Sequence, residues 1–191
     1  MSRYKLVHIN EKYLAELALK TGGEEILTKA SRGYVGLYDT ENCWYIPLRA
    51  KLQKGKPTNS IYPTPFKTNN PHFVNPGLDF QKSLFVPQQE TVVLAPVLPR
   101  DQATFIEAHL DDIQHKFESY VLSVDSLDHA SPSYLYSTIA LFPEGVEHLK
   151  RVIAKRQAQN HSLADDLKAA KQAATRQHTS TKQQALHRRK L

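Results

Sequence analysis

Arg32-Gly33-Tyr34-Val35-Gly36-Leu37-Tyr38, Asp39-Thr40-Glu41-Asn42 and Cys43-Trp44-Tyr45-Ile46 are the stretch on which the fold turns. The outer runs are rich in aromatic and β-branched residues, and the segment between them is made of turn formers. That pattern predicts two antiparallel strands of a hairpin. The hairpin delivers the chain to Pro47 and to a long stretch that ends near Val86.

Residues 47–86 carry prolines at 57, 63, 65, 71 and 76. Each proline removes an amide donor and fixes φ, and pushes the residue before it towards extended geometry. Most of the stretch is therefore expected to be irregular. It also carries Arg49, Lys51, Tyr62, Thr64, Phe66, Lys67, Thr68, Asn69, Asn70 and His72. Connections of this length are usually functional or disordered, and disorder does not favour Ile61, Tyr62, Phe66 and Phe73. We read an ordered, basic, aromatic-lined loop between two strands. Cations neutralise phosphates, aromatics stack on bases, and Asn and Thr hydrogen-bond base edges. The alternative is a proline-rich loop whose aromatics pack beneath it.

Working outward, Tyr4–Ile9 alternates as a strand. Asn10 caps a helix from Glu11 to about Lys20, with Leu14, Leu17 and Ala18 on one face, and Gly22-Gly23 ends it. A short helix or turn near 24–29 follows. Ser83–Val86 and Thr91–Ala95 read as further strands. Pro99-Arg100-Asp101 opens the longest helix, running to about Ser126. Its core stripe is Ile106, Leu110, Ile113, Phe117, Val121 and Val124. Glu107, Asp111, Asp112, His115 and Glu118 fall elsewhere and are expected in solvent. Ser131-Pro132 opens a helix to Leu141, with a strand as rival because of Thr138-Ile139. Val146, Leu149, Val152 and Ile153 form one more stripe. Beyond Lys155 helix propensity is high but little can be buried, so a fraying helix is expected.

The 191 residues fit one domain with an appendage, expected as 1–145 and 146–191. A 40% hydrophobic content with seven Phe and nine Tyr can build a core. There is no apolar run of membrane-spanning length and no signal-peptide pattern, so a cytoplasmic protein without membrane partners is expected. The formal charge of +6 is uneven. Residues 148–191 hold eleven Lys and Arg against Asp165 and Asp166, a net of +9, which leaves −3 for residues 1–147. A basic tail of this kind suits nucleic acid, or simply solubility.

Cys43 is the one cysteine, which excludes an internal disulfide and a cysteine-based zinc site. His-Glu-x-x-His, EF-hand, P-loop, GxGxxG and Gly-x-Ser-x-Gly patterns are missing, so neither metal nor cofactor is expected. What remains is chemistry that positive groups do alone. RNA carries its own nucleophile, the 2′-hydroxyl. Cleavage needs that hydroxyl aligned, a proton acceptor, a donor for the leaving oxygen, and cations for the developing charge. Arg49, Lys51 and His72 are the catalytic candidates. His72 titrates near neutrality when unperturbed. Arg49 has a structural alternative, a salt bridge to Asp79. Candidate RNA contacts are Arg32, Tyr34, Tyr62, Thr64, Phe66, Lys67, Thr68, Asn69, Asn70 and Ser83.

The order of features resembles the type III toxin–antitoxin RNases of the ToxN/AbiQ superfamily, and within it the TenpN-like branch. The resemblance runs from Tyr4 to about Val124. It rests on Asn10–Leu17, Arg32–Leu37, Trp44-Tyr45-Ile46-Pro47-Leu48, Pro63-Thr64-Pro65-Phe66-Lys67, Asn70-Pro71-His72, Gly77-Leu78-Asp79-Phe80 and Leu84-Phe85-Val86-Pro87. It implies an α+β fold: a kinked antiparallel sheet or SH3-like barrel of the Kid/MazF kind, with surrounding helices and, here, a basic helical C-terminal extension. It implies a metal-independent, sequence-selective endoribonuclease that leaves a 2′,3′-cyclic phosphate and a 5′-hydroxyl. The implied partners are substrate RNA and a repetitive pseudoknot antitoxin RNA in a ring-like assembly, in growth arrest and phage defence. Family members follow the proline and leucine with a hydroxyl-bearing pair and a lysine; here Pro47-Leu48 is followed by Arg49-Ala50-Lys51. Lys51 falls roughly where that lysine would be, and the hydroxyls are absent. The rival reading is a non-catalytic RNA- or DNA-binding module using the same loop. A third is an interaction protein that docks an acidic polypeptide.

Overall fold

The structure is a computed structural model that describes residues 4–22, 25–28, 32–37, 44–52, 57–65, 76–92 and 98–188. It is α+β, with one mixed set of helices around an antiparallel sheet. The sheet elements are β1 (Tyr4–Ile9), β2 (Tyr34–Leu37), β3 (Trp44–Arg49), β4 (Ile61–Pro63), β5 (Gly77–Asp79), β6 (Leu84–Phe85) and β7 (Thr91–Val92). The helices are α1 (Glu11–Thr21), α2 (Arg100–Ala108), α3 (Leu110–Asp125), α4 (Pro132–Leu135) and α5 (Pro143–Arg188). Two units are distinguished, Met1–Leu149 and Lys150–Leu191, and the second is the distal part of α5.

The strands run in the order β4-β5-β3-β2-β1-β7, with β6 also on β3. Every recorded pairing is antiparallel, and among the described residues the two outer strands do not meet. The predicted hairpin is present as β2 and β3, in the register Tyr34↔Pro47, Val35↔Ile46 and Gly36↔Tyr45. Its turn lies outside the described residues.

The first strand and first helix form where the sequence predicts. Asn10 Oδ1 accepts from the Lys12 amide at 2.9 Å, and Gly22 closes α1 at φ 75°, in the left-handed region that favours glycine.

Within the stretch 47–86, read as one loop between two strands, the structure adds short strands: β3 continues to Arg49, and β4, β5 and β6 all fall inside it. The prolines punctuate these strands instead of preventing them. Pro63 ends the outermost strand β4, and Pro76 stands just before β5. Pro47 lies within an interior strand, and its neighbours explain how. The Leu48 amide donates to the Gly33 carbonyl at 2.9 Å, on the β2 side, so position 47 faces the other side. There β6 covers Trp44 and Tyr45, and β5 covers Leu48 and Arg49. Pro47 occupies the gap where the partner changes, and no ladder bond asks for its missing N–H.

The core is built on Trp44, which is fully buried. Phe85, Phe117 and Phe142 surround it at centroid distances of 5.4, 5.8 and 5.9 Å. Its indole N–H donates to the Gly145 carbonyl at 3.2 Å, so α5 is tied to β3 at its first turn. The predicted stripe on the long helix is buried throughout, from Ile106 to Val124. Each such side chain contributes roughly 1.5–3 kcal/mol by leaving water.

Three expectations on helices need correction. The long helix is interrupted at His109, where φ is −110° and ψ is 13°. The His109 ring approaches the Phe105 carbonyl at 2.9 Å through Nδ1 and stacks on the Phe105 ring at 4.0 Å, which competes with the regular ladder. Glu118 is buried, not solvated, and its carboxylate accepts from Gln114 at 2.9 Å. The helix over 132–141 is two short pieces, α4 and a 3-10 turn at Thr138–Leu141. Ser137 divides them: it is extended, its hydroxyl oxygen accepts from the Ile139 amide, and the Thr138 hydroxyl bonds to the Ser83 carbonyl.

Candidate nucleic-acid interface

The residues at the end of β3 define the site. Pairing of β3 with β5 sets Arg49 opposite Gly77, two residues from Asp79 on the same face of the strand. The Arg49 Nη1–H donates to the Asp79 carboxylate at 3.1 Å. Asp79 has no exposed surface, while 21% of the Arg49 side chain is exposed. The structural salt bridge is thus present, and Arg49 still reaches the surface.

Arg32 and Tyr34 are electrostatic neighbours of this pair. Burial pulls the Arg32 guanidinium below its usual range; Tyr34 and Asp79 oppose that, and the charge of Arg49 reinforces it. The Arg32 Nε is enclosed and has no hydrogen-bond partner among the described residues. Tyr34 is fully buried, and its hydroxyl donates to the Leu27 carbonyl at 3.3 Å. Burial pushes its phenol up to about 12, against the pull of Arg32 and Arg49. Arg49 holds the Asp79 carboxylate directly, and Arg32 feels the charges of both beside a neutral phenol. Two guanidiniums near one carboxylate leave a local excess of positive charge, which suits an anion such as phosphate.

The other candidates divide by exposure. Lys51 is exposed just past the end of β3. Tyr62 is buried; its hydroxyl donates to Asp112 at 2.7 Å, and Lys116 lies 4.9 Å above its ring. Thr64 is buried and accepts from the Gln102 side-chain amide at 3.1 Å. Ser83 is buried, with its hydroxyl unpartnered among the described residues. Phe66, Lys67, Thr68, Asn69, Asn70 and His72 lie outside the described residues. The structure thus brings Arg32, Tyr34, Arg49 and Asp79 together, and holds Tyr62, Thr64 and Ser83 in packed surroundings.

Sequence reasoning passed over a second feature. A cleft of about 760 Å³ lies along β4, α2 and α3, walled by Tyr62, Phe80, Phe105 and Tyr120. His109, Lys116, Ser119 and Ser123 line it from the helices. A signal was present, because Asp112, Lys116, Ser119 and Ser123 recur at three- and four-residue spacing as a polar stripe beside the apolar one. Among the described residues no His, Cys, Asp and Glu cluster could hold a metal ion, and no helix is long and apolar enough to cross a membrane.

No protein-family model and no curated protein matches the chain. Solved structures do match in three dimensions, two toxins among them. One is AbiQ, a lactococcal anti-phage endoribonuclease of the type III toxin–antitoxin system. It has 17% sequence identity and a TM-score of 0.51, and the match covers 70% of this chain and 89% of AbiQ. The other is from a bacterial type III system in which a non-coding RNA pseudoknot selectively inhibits the toxin, ToxN. It has 15% identity and a TM-score of 0.50, and the match covers 81% of this chain and 98% of that one. The chain shares the fold of type III toxins. Most of each neighbour is matched, so the likeness concerns the whole toxin fold and not one motif of it.

Proposed function

We propose that the chain is the toxin of a type III toxin–antitoxin system, a sequence-selective endoribonuclease that works without a metal. The observation that carries this is the shared fold together with the Arg32–Arg49 pair at the end of β3. The Kid/MazF-like, SH3-like-barrel reading of the sheet belongs to the same proposal, and the change of partner from β6 to β5 at Pro47 is what supports it.

In the proposed reaction the 2′-oxygen attacks the adjacent phosphorus and the bond to the 5′-oxygen breaks. The products are a 2′,3′-cyclic phosphate and a 5′-hydroxyl. One proton leaves the 2′-hydroxyl and one reaches the departing oxygen. Arg49 and Lys51 stabilise the negative charge on the phosphorane, and Arg32 adds to that field. His72 is the candidate for proton transfer. Asp79 holds the Arg49 fork in place before substrate arrives, which reduces the ordering cost of binding. The antitoxin is a repetitive pseudoknot RNA in a ring-like assembly in the cytoplasm, and the +9 of residues 148–191 supplies phosphate contacts to it.

The test is incubation of the purified chain with mixed-sequence RNA in excess EDTA, followed by end-group analysis. Discrete fragments with cyclic phosphate ends are expected. RNA that is bound and stays intact, after extraction of any co-purified small RNA, would leave a binding module in place of an enzyme.

A further inference from the structure

The cleft of about 760 Å³ beside Tyr62 is not used by the chemistry above, and its size is that of a small-molecule site. The geometry points to a subsite for one unpaired nucleotide of RNA, with a preference for adenine and cytosine, which carry an amino group where uracil and guanine carry a carbonyl. This inference rests on the RNA reading and adds a second recognition point to it. The cleft lies against the same β4–β5 pair that carries Asp79, with Tyr62 opposite Leu78 and Ile61 opposite Asp79. Ile61 and Tyr62 both line the cleft, and Ile61 is the residue paired with Asp79, so the Arg49–Asp79 pair lies beside the cleft. A single strand crossing the sheet edge there meets both.

The base and the phosphate of a nucleotide both have counterparts in the cleft. Aromatic walls suit the faces of a base, whose stacking tolerates any sequence. The Lys116 ammonium stands at the wall, 55% exposed, bonded to Asp112 at 2.9 Å. Exposed helix pairs of this kind contribute little, so a phosphate can take the ammonium at small loss. The hydroxyls set the preference. Ser119 donates its proton to the His115 carbonyl at 2.9 Å, and Ser123 donates to the Tyr120 carbonyl at 2.7 Å. Tyr120 donates to Ser137 at 3.2 Å. The two serine oxygens, one helical turn apart, remain as acceptors. Acceptors call for donors, and adenine and cytosine present amino groups on the edge where uracil presents a carbonyl.

The experiment measures equilibrium binding of labelled, fully 2′-O-methylated oligoadenylate and oligouridylate, which cannot be cut by attack of their own 2′-oxygen. Free AMP and UMP form separate arms. The variants are Ser119→Leu, which fills the cleft from an exposed helix position, and Lys116→Ala. Thermal melts of both report whether the fold is kept. Oligoadenylate is expected to bind more tightly than oligouridylate. Ser119→Leu should weaken the oligoadenylate complex by about tenfold and abolish the preference, in line with the loss of one stacked base. Lys116→Ala should weaken both oligonucleotides. A Ser119→Leu protein that binds both like the parent would overturn the subsite and leave the endoribonuclease proposal standing. A parent that takes AMP in the cleft and binds no oligonucleotide would overturn RNA as its source. A parent that neither binds nor cuts RNA would overturn the functional reading itself.

Discussion

The Arg49 guanidinium donates to the Asp79 carboxylate across 3.1 Å, and that carboxylate is sealed from solvent. Arg49 is therefore part of the fold as well as of the candidate site. Truncating one member of a buried charged pair typically costs about 3–5 kcal/mol, and the partial exposure of Arg49 puts Arg49→Ala near the lower end. Urea unfolding measures this. A midpoint equal to that of the parent would reduce the pair to a surface bridge. Arg49→Lys keeps the charge and loses the planar fork, so it should fold better than Arg49→Ala and still cut RNA poorly.

Lys51 stands two residues further on and is exposed. Its substitution by alanine should change stability by no more than about 0.5 kcal/mol, as for other surface positions. RNA cleavage should fall by about a hundredfold or more, since a cation that stabilises transition-state charge acts on the rate. Single-turnover cleavage measured beside a thermal melt separates the two effects. Wild-type turnover in Lys51→Ala would remove it from the catalytic set. His72→Ala is read out in the same way.

The difference between these two basic residues shows what the sequence could reveal. Arg49 and Lys51 were legible as a pair because a strand-end spacing of two is a local fact. The sequence offers the salt bridge of Arg49 to Asp79 as an alternative to the catalytic role, and it is present; it stayed an alternative because it depends on the register of β5 against β3, 30 residues away. The hairpin, α1 and the core stripe of α2 and α3 were legible because periodicity and capping are local too. The β4 and β5 strands were hidden by prolines, which read as loop until the pairing shows them at an outer edge and a strand entrance. The enclosure of Tyr62 follows the alternative reading, in which the aromatics of the proline-rich stretch pack beneath it, whereas that of Thr64 and Ser83 was out of reach. Polar residues in a proline-rich run look like surface until the helices that cover them are placed.

Gly77 allows β4 and β5 to meet. A Cβ there would collide with the Tyr62 carbonyl and lie 2.9 Å from Leu52 Cδ1 and 3.0 Å from Pro63 Cα. Two of these three atoms are backbone and cannot swing aside. Gly77→Ala should destabilise by roughly 1–3 kcal/mol, as overpacking does, and should loosen Asp79 and hence Arg49. Gly145→Ala tests the other end of the core, where a Cβ would lie 2.6 Å from Phe85 Cγ beside the Trp44–Gly145 hydrogen bond. Both should lower the urea midpoint. Only Gly77→Ala should also lower RNA cleavage under conditions where the protein is folded, because only Gly77 adjoins the site.

Tyr34, Tyr62 and Tyr120 give the fold a defined alkaline limit. Each phenol is pushed up to about 12, chiefly by burial. For Tyr62 the hydrogen bond to Asp112 adds to this, and for Tyr120 the bond to Ser137 opposes it. In the unfolded chain the same groups ionise near 10. Between those values the folded state holds protons that the unfolded state has released, so stability falls as pH rises. Below about pH 10 both states are protonated and the contribution is constant. The contribution of these three phenols should accordingly be flat up to pH 10 and drop between 10 and 12. The ionised-tyrosine absorbance of these three groups should appear together with loss of the far-ultraviolet circular dichroism. Tyr62→Phe should make that drop shallower, since one coupled phenol is gone. Full tyrosine ionisation with native dichroism intact would show that the three hydroxyls reach solvent without unfolding.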